Sequence, residues 1–340
     1  MAKIFLTGGT GFLGSYILRF LIRDGHEIYA TQRTHSKMDH IADIKDQINW
    51  TICDIEDVDQ YDELIDNETI IIHAAAKISF DKKHQGKMHR VNVDATRLLV
   101  NVALEKRAKR FIHISSIAAL GRYHDNRAID ENIEWEDSPH HTTYGISKQM
   151  GEREVWRGRA EGLDVVILNP SLILGAGYWN SSSSNILRQL DRGLSFYPEG
   201  MTGMVDVRDV AKLASLAITK EVTGQRYIIS AENRTYKDYF AFTCKELDRK
   251  IPHRPLTKIW RSLAWRSSGI YAAISRKSQL VTSQNMAASA SSTKYDNQKS
   301  INDFGYSYTT IEKTWLDAAQ SYKKAKIESR SWGTLSIEGF

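Results

Sequence analysis

Three glycines at positions 8, 11 and 14, set between a short apolar run and an amphipathic segment, constrain this chain more than anything else in it. Lys3-Ile-Phe-Leu-Thr7 has strand length, Gly8-Gly9-Thr10-Gly11-Phe12-Leu13-Gly14 is a glycine-dense turn, and Ser15 to Ile22 carries apolar residues at helical spacing. The pattern predicts a strand, a phosphate-binding turn and a helix. Gly8 permits the turn, Gly11 lets the backbone approach a pyrophosphate, and Gly14 lets helix and strand pack closely. Backbone amides at the helix start, aided by the helix dipole, then face the phosphates. Thr10, Phe12 and Leu13 sit in the same turn and join the expected cofactor residues. The spacing is a variant of the dinucleotide fingerprint, and no Lys-Ser/Thr ending makes it a P-loop. A plain glycine-rich connection has the same letters, so the rest of the chain has to decide.

Further apolar runs follow at the spacing of repeated β-α units: Glu27–Thr31, Trp50–Ile55, Thr69–His73, Arg110–Ser116, Val165–Asn169 and Gln225–Ser230. Nearly continuous apolar strands separated by helical segments predict a parallel sheet covered on both faces, with functional loops at the strands' carboxyl ends. The fold class is α/β: a Rossmann-type doubly wound parallel sheet with a smaller, mostly C-terminal substrate-binding domain. Residues 1–170, completed by about 205–230, form the dinucleotide-binding domain. Residues 171–204 and 231–325 form the substrate side, and 326–340 read as a tail.

The residue ending the second strand reads the adenosine ribose, a carboxylate favouring a 2′-hydroxyl and an arginine a 2′-phosphate. Here it is Arg33, with Lys37 four residues on and no carboxylate at Ala30, Thr31 or Gln32. NADP is therefore expected over NAD. Asp54, followed by Ile55, either meets the adenine amino group or caps the next turn. Ala74, Ala75 and Ala76 are small enough for a cofactor to lie against the backbone, or else begin a helix. The stretch 175–185, rich in glycine and serine, reads as a mobile loop over the site. From Ile251 to Tyr295, Trp260, Leu263, Ala264, Ile270, Tyr271 and Ile274 lie at helical spacing. They read as core of the substrate side rather than a helix on a membrane surface.

Composition narrows the function. Charged residues make up 26% and apolar ones 41% of the 340, and no apolar run reaches membrane-spanning length. The first strand begins at once, so no signal peptide is expected. Cys53 and Cys244 fit no metal-ligand spacing and read as reduced thiols of a cytoplasmic protein, with no metal expected. A net charge of +5, with Lys and Arg scattered among Asp and Glu, argues against nucleic acid as partner.

Tyr144-Gly-Ile-Ser-Lys148 puts a phenol and an ammonium one helical turn apart. The same spacing recurs at Tyr295 with Lys299 and at Tyr322 with Lys326, so position must choose. The first pair lies between the fifth strand, which ends in Ser115-Ser116, and the sixth; the others lie beyond the sheet and read as structural. A tyrosine becomes an acid/base near neutral pH if a lysine and an oxidised nicotinamide favour its phenolate. Ser116 would stabilise the charge developing on the same substrate oxygen.

Taken together, these motifs resemble the extended short-chain dehydrogenase/reductase family over about residues 1 to 320. They are Thr7-Gly8-x-x-Gly11-x-x-Gly14, Asp54-Ile55, His73-Ala-Ala-Ala76, Val91-Asn-Val93, Ser115-Ser116, Tyr144-x-x-x-Lys148, Asn169-Pro170 and Val205-Asp-Val-Arg-Asp-Val210. The resemblance implies that Ser116, Tyr144 and Lys148 are catalytic, that Tyr144 and Lys148 also touch the cofactor, and that Lys148 holds the nicotinamide ribose. Pro170 and Ser171 are expected beside the cofactor as well. Ala30-Thr-Gln-Arg33, Ser115–Gly121 and Tyr295–Tyr306 look like the dihydroflavonol 4-reductase and 3β-hydroxysteroid dehydrogenase-like branch.

With NADP(H) expected from Arg33, the resemblance implies an enzyme that interconverts a ketone and a secondary alcohol on a small-molecule substrate, and a homodimer. Asn169 stands where nucleotide-sugar enzymes of the family usually show arginine. A nucleotide-sugar 4-epimerase retaining NAD is the alternative. Ser116-Ile117-Ala118 lacks the acid of a 4,6-dehydratase, and a dinucleotide sensor would need no proton-transfer group.

Overall fold

The computed structural model describes residues 1–79, 81–121, 127–138, 141–258, 260, 286 and 289–340. The expected helical stripe of Leu263, Ala264, Ile270, Tyr271 and Ile274 lies outside the described residues.

The first half alternates strand and helix: β1 (Lys3–Thr7), α1 (Phe12–Arg23), β2 (Glu27–Gln32), β3 (Asn49–Ile52), β4 (Thr69–His73), α2 (Gln85–His89), α3 (Ala95–Glu105), β5 (Arg110–Ile114), α4 (Thr143–Ala160) and β6 (Val165–Pro170). There follow β7 (Leu172–Leu174), α5 (Asn185–Asp191), β8 (Phe196–Tyr197), β9 (Met201–Asp206), α6 (Val207–Leu216), β10 (Gln225–Ile229), β11 (Glu232–Thr235), α7 (Tyr236–Glu246), β12 (Arg254–Pro255), α8 (Gln298–Phe304) and α9 (Ile311–Ile327). Seven strands form one parallel sheet in the order β10-β6-β5-β4-β1-β2-β3, the doubly wound arrangement expected. A smaller sheet, β11-β9-β7, lies beyond its β6 side in sequence.

Alternation along the strands explains the layers. On β1, Ile4 and Leu6 join Ile17 and Leu18 of α1 and Val210 and Leu213 of α6 in one core. Phe5, between them, joins Leu99 and Val100 of α3 and Val155 of α4 on the opposite face. Each such large side chain contributes about 1.5–3 kcal/mol when taken fully from water.

Some strand ends differ from expectation. β3 stops at Ile52, leaving Asp54 and Ile55 in the turn behind it, because it is an edge strand whose last residue is 60% exposed. β5 ends at Ile114, so Ser115 and Ser116 belong to the turn. The carboxyl side also departs from its sequence reading. Within 175–185, read as a mobile loop, Trp179 is 4% exposed in the main core. The tail holds it: Gly333 N–H donates to Gly177 O at 3.0 Å, and Trp179 N–H to Ser331 O at 3.0 Å. Leu335 N–H donates to the buried Tyr16 hydroxyl of α1 at 2.9 Å, and that hydroxyl donates to Ala176 O at 2.8 Å. The tail is thus a strap across α1.

Candidate active site

Behind the carboxyl ends of β1 to β4 lies a cleft of about 360 Å³. Gly8, Thr10 and Gly11 line it from the turn after β1, and Arg33 and Ser36 from the end of β2. Asp54 and Ile55 follow from the turn after β3, and Ala74, Ala75, Ala76 and Lys77 from the segment after β4. Gly8 has φ +77°, and a β-carbon there would meet Ala75 N at 2.6 Å. A β-carbon on Gly14 would overlap the Gly8 carbonyl. Glycine at 8 and 14 is therefore what lets the turn lie between α1 and β4.

The start of α1 is capped by Gly11 without a side-chain bond and has no acidic residue in its first turn. Its amides and dipole are open to an anion. Lys87 of α2 reaches the same cleft, and the charges of Lys87 and Arg33, with burial first, lower the Lys77 ammonium. None of Arg33, Lys77 and Lys87 pairs with a carboxylate among the described residues. Sequence reading missed Lys77 and Lys87; the signal was a lysine directly behind the alanine corner.

Five other expected cofactor residues make their contacts outside the lining of that cleft. Phe12 and Leu13 pack against the core, with the Phe12 ring edge-on to Tyr16. The Lys37 ammonium sits 5.6 Å from the centroid of the Tyr178 ring. Pro170 ends β6 opposite Ile229 of β10, and Ser171 N–H donates to Ile229 O at 2.9 Å. None of these five is among the residues lining the cleft.

Ser116, Tyr144 and Lys148 come together where β5 meets α4. Thr142 caps α4, its hydroxyl accepting from Gly145 N–H at 3.0 Å. Gly145 lies so close to Ala118 O that a β-carbon would stand 2.5 Å from it. That contact presses the start of α4 onto the 117–119 turn, and Ser116 caps the turn by accepting from Ala118 N–H at 3.1 Å.

Burial pushes the Tyr144 phenol up to about 12, and the Ser116 hydroxyl, its hydrogen-bonding neighbour, opposes the rise. The free protein thus carries Tyr144 protonated near neutral pH, as a proton donor. Lys148, 1% exposed, donates to Ile114 O at 2.9 Å and stands 3.5 Å from His113 Nε2. Burial pulls its ammonium down to about 8.

A second cleft, of about 200 Å³, opens beside Tyr144. Ile117, Leu120, Met201, Tyr236 and Tyr295 give it apolar and aromatic walls, and His141, Thr142, Thr202 and Thr293 add polar groups. Tyr295, read from sequence as structural, is thus a cleft residue. Its segment is carried there by pairing with Ile129 and by the Ser292–Met201 bridge. Tyr322, by contrast, is buried and donates to Asp191 at 3.0 Å.

Beneath the centre lies a polar layer that sequence reading did not assign. His73 bonds Thr7 Oγ1 at 2.7 Å and Thr96 Oγ1 at 3.0 Å. Burial holds the His73 imidazole down at about 3 and lowers that of His113 as well. Asn92 accepts from Lys77 N–H at 2.8 Å and donates to Lys77 O and to Ser147 Oγ. It stands in a π-turn, Arg90–Asp94, and ties the cofactor wall to α4. Asn169 donates to Ser116 O at 3.0 Å.

The family model described as the NAD dependent epimerase/dehydratase family matches residues 4–230, and the chain belongs to that family. Its motifs' resemblance to the extended short-chain dehydrogenase/reductases is borne out. A provisional dihydroflavonol 4-reductase of Synechocystis sp. is 29% identical over 329 residues, 94% of each chain. Cinnamoyl-CoA reductase 1 of Arabidopsis thaliana is 26% identical over 244 residues, 67% of this chain and 70% of that one. Among solved structures, gox2253 superposes with TM-score 0.81 at 26% identity, covering 95% of this chain and 98% of the other. A UDP-glucose 4-epimerase of Thermotoga maritima, solved with UDP-glucose, gives 0.77 at 17% identity over 95% and 99%, a likeness of fold alone.

Proposed function

We propose that this protein is an NADP(H)-dependent oxidoreductase interconverting a ketone and a secondary alcohol, with Tyr144 as general acid/base. The observation that carries this reading is the Tyr144 phenol, with Ser116 as its hydrogen-bonding neighbour, lining a cleft with aromatic walls. The relatives named as reductases support it. The first cleft suits a dinucleotide, because uncapped amides, a glycine corner that a β-carbon would fill and cations with no carboxylate partner among the described residues surround it.

When bound, the nicotinamide exchanges a hydride with the substrate carbon. The chain's own residues do the rest. Arg33, with Lys77 and Lys87, would hold the 2′-phosphate end, and the uncapped amides of the first turn of α1 would hold the pyrophosphate. Ser116 donates a hydrogen bond to the carbonyl oxygen, and Tyr144 passes its phenolic proton to that oxygen as charge develops. In the oxidative direction Tyr144 takes the proton back. Ile117, Leu120, Tyr236 and Tyr295 exclude water and favour an apolar or aromatic substituent beside the carbonyl.

The alternative is a nucleotide-sugar 4-epimerase with retained NAD, which the folds of sugar-nucleotide enzymes favour. Against it, none of the described residues lining the second cleft is a lysine or arginine to meet a diphosphate. A panel of aryl and alkyl ketones, with NADPH consumption followed by absorbance, tests the proposal. Turnover with NADPH exceeding that with NADH is expected. Purified protein carrying bound NAD and inert toward every ketone would overturn it.

A further inference from the structure

One buried charge has no part in the mechanism above. Glu152 follows Lys148 by one turn on the same face of α4, as Lys148 follows Tyr144, and is only 3% exposed. A carboxylate is not left in such a place without partners, because an unpaired one is far too costly. Asn169, the residue marking the departure from sugar-nucleotide enzymes, donates to Glu152 Oε1 at 2.5 Å. The same amide group donates to Ser116 O, so one side chain joins the carboxylate to the serine of the reacting centre. On the far side, Arg226 Nη1 of β10 lies 3.9 Å from Glu152 Oε2. Arg226 is itself fixed by donating to Glu131 O at 2.8 Å and Ile133 O at 2.6 Å.

Lys148 needs such a neighbour. From β5 it meets His113 and Ile114 O, and from β4 the His73 ring lies behind His113, the two ring centroids 5.2 Å apart. Burial keeps both imidazoles neutral, so neither offers negative charge. From β6 comes the neutral Asn169 and from β10 another cation, Arg226. Glu152 is the carboxylate that opposes the loss of the Lys148 proton.

We propose that Glu152 is a positioning residue of the reacting centre, its buried carboxylate being the counter-charge that keeps Lys148 an ammonium where the cofactor ribose is held. This rests on the assignment of Tyr144 and Lys148 made above. Burial raises the Glu152 carboxyl, and Ser115, Arg226, Asn169 and Lys148 oppose that rise; Asn169 also couples its position to Ser116.

The test is the pH dependence of kcat/KM for ketone reduction in Glu152→Gln and Glu152→Asp. Glutamine keeps the shape and an acceptor for Asn169 but removes the charge. Its alkaline limb is expected to fall about one pH unit below that of the wild type, a roughly tenfold lower rate on the falling limb. Aspartate keeps the charge but draws it back by one methylene, so its limb lies between the two.

Limbs of both variants that coincide with the wild type would overturn the inference. A purely structural role would lower the melting temperature without moving the limb, and that result also overturns it. If Glu152→Gln does not fold, Glu152→Asp decides alone: a lowered limb supports the role and an unmoved one refutes it. Failure of the underlying reading looks different, since Tyr144→Phe would then keep its turnover.

Discussion

Positive charge is used in opposite ways at the two ends of the site. At the glycine-turn cleft, Arg33 and Lys87 are exposed and Lys77 half-buried, without carboxylate partners among the described residues. At the other cleft, Lys148 is 1% exposed, donating to the Ile114 carbonyl beside the neutral His113 imidazole, with the buried Glu152 one helical turn further along α4. Exposed cations interact through water, are weakened by salt and act mainly by selecting a charged ligand. A buried one is scarcely screened, and its protonation state depends on its neighbours. On the function proposed above, selection falls to the solvent-facing part of the molecule and chemistry to the dry part.

The strongest attack on this division is Tyr144→Phe. Turnover should fall by about 10²- to 10⁴-fold while the NADPH dissociation constant stays within a few-fold, measured by steady-state kinetics and fluorescence titration. Turnover near the wild-type rate would remove chemistry from the dry end. Arg33→Ala strikes the other side. Loss of one charge-assisted contact should weaken NADPH by roughly 10- to 100-fold, leave NADH unchanged and flatten the salt dependence of NADPH binding. Equal weakening of both cofactors would show Arg33 acting on shape rather than on the phosphate.

A smaller effect sharpens the contrast through stability. His73 and His113 are buried and hold imidazole values well below 6.5, whereas the unfolded chain titrates near it. Below about pH 6.5 the unfolded state therefore binds more protons, and stability falls as the pH drops from there toward about 3. Each histidine contributes about 1.4 kcal/mol per pH unit once the unfolded chain is protonated. Denaturant melts between pH 7 and 5 should show this slope, and His113→Asn should lower it by about 1.4 kcal/mol per pH unit where the unfolded histidine is protonated. A flat profile would mean that the layer beneath Lys148 is wet.

Much of this plan is legible because local patterns carry it. Apolar runs of strand length, the glycine turn and the Tyr144–Lys148 spacing are short-range signals, and the sheet follows from them with few alternatives. Strand ends are less legible: β3 stops at Ile52 for lack of an outer neighbour, which no local pattern reveals. Lys37 illustrates the same limit at the site, since its place over Tyr178 depends on a segment more than a hundred residues away. His113, Glu152 and Tyr295 are harder still. Each is an ordinary letter in its own segment and acquires meaning only from residues brought up by other strands. The strap at 331–335 has no periodicity at all, being held by single hydrogen bonds and by Trp179.

That strap links positions 319 apart in sequence, through the bond from Leu335 to Tyr16. Tyr16 belongs to the helix that follows the glycine turn, so the neighbourhood of that turn stays incomplete until a segment more than three hundred residues later has been made. A nascent chain can assemble β1, α1 and β2 early. The backing of α1 arrives hundreds of residues later, so the window in which the glycine turn stands unsupported is set by the speed of translation.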